Sequence, residues 1–150
     1  MAYLFWKDQI NNCMATGYSG TPLSKKLGIK EGFSILLVNQ PSHYFELFTD
    51  FPDDVTILKA AKFESADFAH LFCTSLKELT TLANNCKNSL KKNASLWISW
   101  PKGSSKIETD LKREPIREYL LSIGLVDVKV AAIDEDWSGL KFVYRLKDRK

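Results

Sequence analysis

At 150 residues, with 45% hydrophobic and 26% charged side chains, the chain has the make-up of one globular domain that can bury a core, which sets aside disordered and low-complexity readings. The net charge of +3 arises from Lys and Arg interspersed with Asp and Glu, so no strong basic field points to nucleic acid. Cys13, Cys73 and Cys86 are widely spaced, with no CxxC pair or cluster of histidines, and so suggest neither a disulfide framework nor a zinc site.

Residues 1–20 are read as an N-terminal extension, and 21–150 as a single domain. The start, Met1 to Asp8, lacks the leading basic residues of a signal peptide, and the longest aliphatic stretch, Phe33 to Val38, is too short to span a bilayer. With the cysteine usage, this suggests a cytoplasmic protein. Thr21 as N-cap, Pro22 in the first helical position and Gly28 as a left-handed cap predict a short helix.

Phe33–Val38 is a continuous apolar run, as expected of a strand buried on both faces. A short helix is expected within 41–48, a second short strand at Val55–Leu58 and a third strand at Phe68–Cys73. From Ser75 to about Lys92, Leu76, Leu79, Leu82, Ala83, Cys86 and Leu90 fall on one helical stripe. A fourth strand runs from Ala94 to Trp100, followed by a polar loop over 101–112 and a second amphipathic helix starting at Pro115 and closed by Gly124. Val126–Ile133 and Leu140–Leu146 form a closing hairpin, whose last strand alternates as a sheet-edge strand would. This order predicts an α/β fold: a doubly wound, mostly parallel Rossmann-like sheet of about six strands with an antiparallel C-terminal hairpin. The link from Lys59 to Ala66 is short for a crossover, which ordinarily takes a dozen or so residues, so the sheet is expected to be abbreviated there.

From Ala66-Asp67-Phe68 onward the chain resembles the second half of a class I methyltransferase. Three segments resemble an uncharacterised bacterial domain family of no established activity. They are Gly17-Tyr18-Ser19-Gly20-Thr21-Pro22-Leu23, Trp100-Pro101-Lys102, and Gly124 to Val130 with the turn Trp137-Ser138-Gly139-Leu140. The resemblance implies a methyltransferase-like fold and transfers no catalytic residue. Three features of a working methyltransferase are missing from the sequence. Val38 is followed by Asn39-Gln40-Pro41-Ser42-His43 in place of a glycine-rich loop, which lets backbone approach a cofactor closely. Leu58-Lys59 replaces the acidic residue expected to hold the ribose, and Cys73-Thr74-Ser75 bears no likeness to the polar-Pro-Pro-aromatic motif of amino-methylating members.

In open α/β sheets ligands bind outside the carboxyl ends of the strands, near the switch in strand order. On this chain that rule gathers Asn39, Gln40 and His43 with Trp100, Lys102, Ser104, Ser105 and Lys106. The last group offers an aromatic face, hydroxyls and lysines beside a flexible glycine, a set suited to a small anion. Asp110 is a candidate ligand contact, with helix capping as its plainer role, and Trp137 is a candidate anchor for a partner. His70 reads as a hydrogen-bonded core residue, and Asp134-Glu135-Asp136 as a hairpin turn with no calcium-loop spacing. The expectation is a non-catalytic binding or regulatory module using no cofactor and no metal. The alternative is a small enzyme acting on an anionic small molecule without the usual S-adenosylmethionine loop. The expected partner is a small molecule or protein; no membrane is expected, and nucleic acid is disfavoured.

Overall fold

The computed structural model describes residues 21–149; the reading of 1–20 as an extension lies outside them. Helix α1 (Leu23–Leu27) leads to β1 (Ser34–Val38), a 3-10 turn at Tyr44–Leu47 and a two-residue β2 (Thr56–Ile57). There follow β3 (Ala66–Phe72), α2 (Leu76–Ser89), β4 (Leu90–Pro101), α3 (Arg113–Ser122), β5 (Leu125–Ala132) and β6 (Trp137–Tyr144), with a 3-10 turn at Leu146–Asp148. The strands form one six-stranded sheet in the order β2-β1-β3-β4-β6-β5. The first four are parallel, and β6 runs antiparallel to both β4 and β5. The α/β sheet with its antiparallel hairpin is the fold expected from the sequence.

Successive strand residues face opposite sides of the sheet, and both sides are covered. On one, Ala69, Leu71, Leu96, Ile98, Leu140 and Phe142 pack under Leu79, Ala83 and Cys86 of α2 and Ile116 and Leu120 of α3. On the other, Ile35, Phe68, Phe72, Trp97 and Trp137 pack under α1 and the Tyr44–Leu47 turn through Leu27, Tyr44 and Phe48. Two-sided cover explains why β3 is apolar without alternation. Each fully buried large side chain contributes about 1.5–3 kcal/mol of transfer free energy.

Several local expectations are corrected. Pro22 occupies the N-cap of α1 with extended backbone, while Gly28 does take the left-handed conformation (φ 83°). Ser89 ends α2 and Leu90 begins β4, so no loop separates them and the strand starts four residues before Ala94. Leu76 is exposed and does not belong to the buried stripe of α2. The last strand is interior; β5 is the edge, with Val128 and Val130 exposed.

The short crossover is accommodated because β2 is only two residues long and the link carries no helix. Glu64, with left-handed backbone (φ 50°), donates its N–H to the Asn88 carbonyl at 3.0 Å, and Ser65 donates to Ser89 at 2.9 Å. The end of α2 thus pins the link in place. At the same end of the sheet, Asp67 accepts from the Ser34 N–H (2.8 Å) and from Lys91 (3.0 Å), closing the starts of β1, β3 and β4 together.

Candidate functional site at the carboxyl edge of the sheet

Four chain segments meet where β1, β3 and β4 end. β1 leaves the sheet through Asn39, whose φ of 58° is the left-handed conformation that asparagine tolerates better than most residues. Asn39 and Gln40 are exposed, and His43 precedes the Tyr44–Leu47 turn. β3 ends at Phe72, and the next residue, Cys73, donates its N–H to the Ser99 carbonyl at 2.9 Å.

The chain then enters α2 through a reciprocal cap. Ser75 Oγ accepts from the Glu78 N–H (3.1 Å), while Glu78 Oε1 accepts from the Thr74 N–H (2.8 Å). This is the Ser-x-x-Glu arrangement that satisfies the orphan donors of a helix start. Asp110 adds to it, accepting from the Leu76 N–H at 2.8 Å. Its capping role therefore falls on α2 and not on the helix that follows it in sequence. Thr109 Oγ1 donates to the Thr74 carbonyl (2.6 Å), latching the polar loop to the same helix start.

The β5–β6 turn is the hub. Asp134 Oδ1 accepts from the Asp136 and Trp137 N–H groups, both at 2.8 Å, and its Oδ2 lies 3.1 Å from His43 Nε2. Asp136 receives the Lys102 N–H on its carbonyl (2.8 Å) and the Ser105 hydroxyl on its carboxylate (2.9 Å). One set of bonds therefore runs from the β1 exit through the hairpin tip to the loop after β4.

Between the start of α2, the end of β4 and this loop lies an open cleft of about 930 Å³. Of the residues singled out in the sequence, Trp100, Lys102, Ser105, Lys106 and Asp110 line it, together with Thr74, Ser75 and Arg113. Asn39, Gln40, His43 and Ser104 do not. Trp137 is buried in the second core, edge-on to Phe72 with ring centroids 5.0 Å apart, so it presents no anchor to a partner. Among the described residues, no group of His, Cys, Asp and Glu is placed to hold a metal ion. Two members of the edge, Glu78 and Asp134, were not singled out for these roles. The Ser75-Leu76-Lys77-Glu78 spacing carried the signal for Glu78; Asp134 pairs with His43 across 91 positions, and no local pattern announces that.

Beneath the edge a fully buried polar chain joins three elements. Tyr44 Oη and His70 Nδ1 are 2.9 Å apart, His70 Nε2 and Ser99 Oγ are 2.7 Å apart, and the imidazole stacks on Phe72 at 4.3 Å. Burial lowers the His70 pKa to about 3 and raises that of Tyr44, so both stay neutral. His70 is a hydrogen-bonded core residue, as the sequence suggested, and it ties the Tyr44 turn to β3 and β4.

The fold is shared with solved methyltransferases. It matches a SAM dependent methyltransferase from Aquifex aeolicus with a TM-score of 0.54 at 17% identity, over 80% of this chain and 86% of that one. A TehB-like SAM-dependent methyltransferase from Corynebacterium glutamicum matches with a TM-score of 0.53 at 10% identity, over 96% and 98% of the two chains. A ribosomal protein L11 methylase from Lactobacillus delbrueckii subsp. bulgaricus matches with a TM-score of 0.55 at 10% identity, over 81% and 74%. No protein-family model and no curated protein matches the sequence. The expectation of a non-catalytic module, with its alternative of an enzyme lacking the usual S-adenosylmethionine loop, is corrected by these neighbours, since the three solved structures that share the frame are named as methyltransferases. At these identities the likeness shows the fold, and no helix among the described residues is long and apolar enough to cross a membrane. The chain has a methyltransferase-like α/β fold.

Proposed function

We propose that this protein is an S-adenosylmethionine-dependent methyltransferase acting at the carboxyl edge of its sheet. The observation that carries the reading is the open cleft beside Trp100 and Thr74, placed at that edge in a methyltransferase-like fold. When bound, the cofactor supplies an electrophilic methyl group on a sulfonium. The exposed carboxamides of Asn39 and Gln40 at the β1 exit fit its amino-acid end, since amides both donate and accept hydrogen bonds. Lys59, three residues after Thr56, offers only donors where ribose hydroxyls would find an acceptor in a carboxylate. The cofactor would therefore be held without the usual acidic contact.

On this reading the acceptor, a small molecule or a protein side chain, occupies the cleft, with Trp100, Lys102, Ser105, Lys106 and Asp110 as its contacts. His43, outside the cleft, is oriented by Asp134. Residues 21–150 act as one domain in the cytoplasm, within the uncharacterised bacterial family that the Gly-Tyr-Ser-Gly-Thr-Pro-Leu and Trp-Pro-Lys segments resemble.

Calorimetric titration with S-adenosylmethionine and S-adenosylhomocysteine tests the reading. Saturable binding is expected, with a stabilisation of about 2.7 kcal/mol when the ligand reaches a hundred times its dissociation constant. Absence of saturable binding by either compound at millimolar concentration overturns it.

A further inference from the structure

We propose that Lys30, Lys129 and Lys141 form a site for a phosphate group on the sheet face opposite α2 and α3, away from the cleft. Lys129 and Lys141 stand directly across from each other in the antiparallel β5–β6 ladder, a position in which like charges repel. Lys141 alternates with Leu140 and Phe142, which pack under α2 and α3, so it shares the other face with Trp137 and Gly139.

Lys141 Nζ comes within 3.6 Å of where a side chain on Gly28 would begin, which sets it beside the turn that ends α1. Lys129 Nζ donates to the Lys26 carbonyl at 3.1 Å in the same place, and Lys30 follows two residues after Gly28. The carbonyl ends of α1 offset part of the positive charge. They leave three ammonium groups with no carboxylate paired to them among the described residues.

Some cations elsewhere on the surface are paired, and what is particular here is that two unpaired lysines face each other across one ladder. Lys91 pairs with Asp67, Lys92 with Glu64 and Arg117 with Asp127. No described carboxylate pairs with Lys30, Lys129 or Lys141, and Glu31, beside Lys30 in sequence, bridges none of them. Partial burial, then Lys129 and Lys30, hold the Lys141 amine below the ordinary lysine range, so the repulsion is felt at the site. A phosphate, with up to two negative charges and several acceptor oxygens, meets three point-like ammonium donors better than a single carboxylate does. Glycine at position 28 leaves the approach to Lys141 open.

NMR titration of the ¹⁵N-labelled chain with inorganic phosphate, with pyrophosphate and with a short single-stranded RNA tests this. Saturable shifts are expected at the amides of Gly28, Lys30, Lys129 and Lys141, with affinity falling about tenfold or more in a K30E/K129E variant, whose sites are both exposed. Should that variant misfold, the K30Q and K129Q single substitutions serve, each weakening binding. If RNA saturates the site and its affinity falls steeply with salt, the phosphate belongs to a nucleic-acid backbone; if only phosphate and pyrophosphate do, it belongs to a small phosphorylated ligand. The proposal is overturned if no probe gives saturable shifts at these amides, or if the lysine variants bind as tightly as the native chain.

Discussion

His43 Nε2 lies 3.1 Å from Asp134 Oδ2, a contact that joins the exit of β1 to the tip of the terminal hairpin across the ends of β3 and β4. The two partners are not equivalent. Asp134 also holds the Asp136 and Trp137 N–H groups, whereas nearly half of the His43 side chain is exposed (44%). Asp134→Ala is therefore expected to cost about 1–2 kcal/mol, and His43→Gln much less. Urea unfolding of the two variants checks the asymmetry, and equal losses would contradict it.

The buried Tyr44–His70–Ser99 chain gives stability a pH dependence. The folded His70 pKa is lowered by burial to about 3, below its ordinary value of 6.5. Between those values the unfolded chain binds a proton that the folded one refuses. The contribution is therefore complete above pH 6.5 and is lost as pH falls towards 3. The slope from this group reaches about 1.4 kcal/mol per pH unit. A His70→Gln variant, though less stable at neutral pH, should show a flatter decline between pH 6 and pH 4 in urea unfolding.

Asp110 should matter for α2 more than for the helix that follows it. Asp110→Ala removes the acceptor of the Leu76 N–H and is expected to cost about 1 kcal/mol. Hydrogen exchange should quicken at Leu76 and leave the first turn of α3 unchanged. Faster exchange at Arg113–Ile116 instead would show that the cap serves the other helix.

Gly139 sits where no side chain fits. A Cβ there would meet Ile133 Cδ1 at 2.9 Å and Trp97 Cε3 at 3.0 Å. Gly139→Ala is expected to destabilise by about 1–3 kcal/mol, and adding Ile133→Val, which removes the nearer atom, should restore part of it. Additive losses in the double variant would refute the steric account.

Cys73 and Cys86 are buried, with thiol pKa values pushed up to about 12, chiefly by burial. Neither is expected to react with a maleimide in the native state, and both should react in urea, as peptide mapping would show. Native labelling of Cys73 would mean that the cleft edge opens.

Much of the fold was legible because its strands are apolar runs separated by helices of clear period. Phe68–Phe72 and Ser95–Trp100 had to be covered on both faces, and Gly28 and Gly124 marked helix ends through positive φ. Other details rest on relations that local pattern does not carry. Leu90–Lys92 looked helical because the stripe of α2 continues through Leu90, yet pairing with Ala66 draws Leu90 into the sheet. The last strand looked like an edge because Lys141 and Arg145 alternate with apolar residues. It is interior, and its polar side lies under the thin cover of α1.

The candidate site was half legible. The rule that ligands gather beyond strand ends brought out Trp100, Lys102, Ser105 and Lys106, which share the cleft. It also drew in Asn39, Gln40 and His43, which lie beyond the same edge and outside that cleft. Trp137 was read as an exposed turn residue and is the first residue of β6, where pairing with Pro101 turns the indole inward.

The absence of any loop between Ser89 and Leu90 bears on how the cleft can move. One wall is the start of α2 and the other the end of β4, so both walls are the two ends of one stretch of chain without slack. What keeps them together is the packing of Leu79, Ala83 and Cys86 of α2 on the sheet. The outer loop from Lys102 to Lys112 forms the remaining wall, held by bonds through Lys102, Ser105, Thr109 and Asp110 and anchored by the buried Leu111 and by Ile107. The cleft is therefore walled by one helix–strand unit and rimmed by a loop tied to both of its ends.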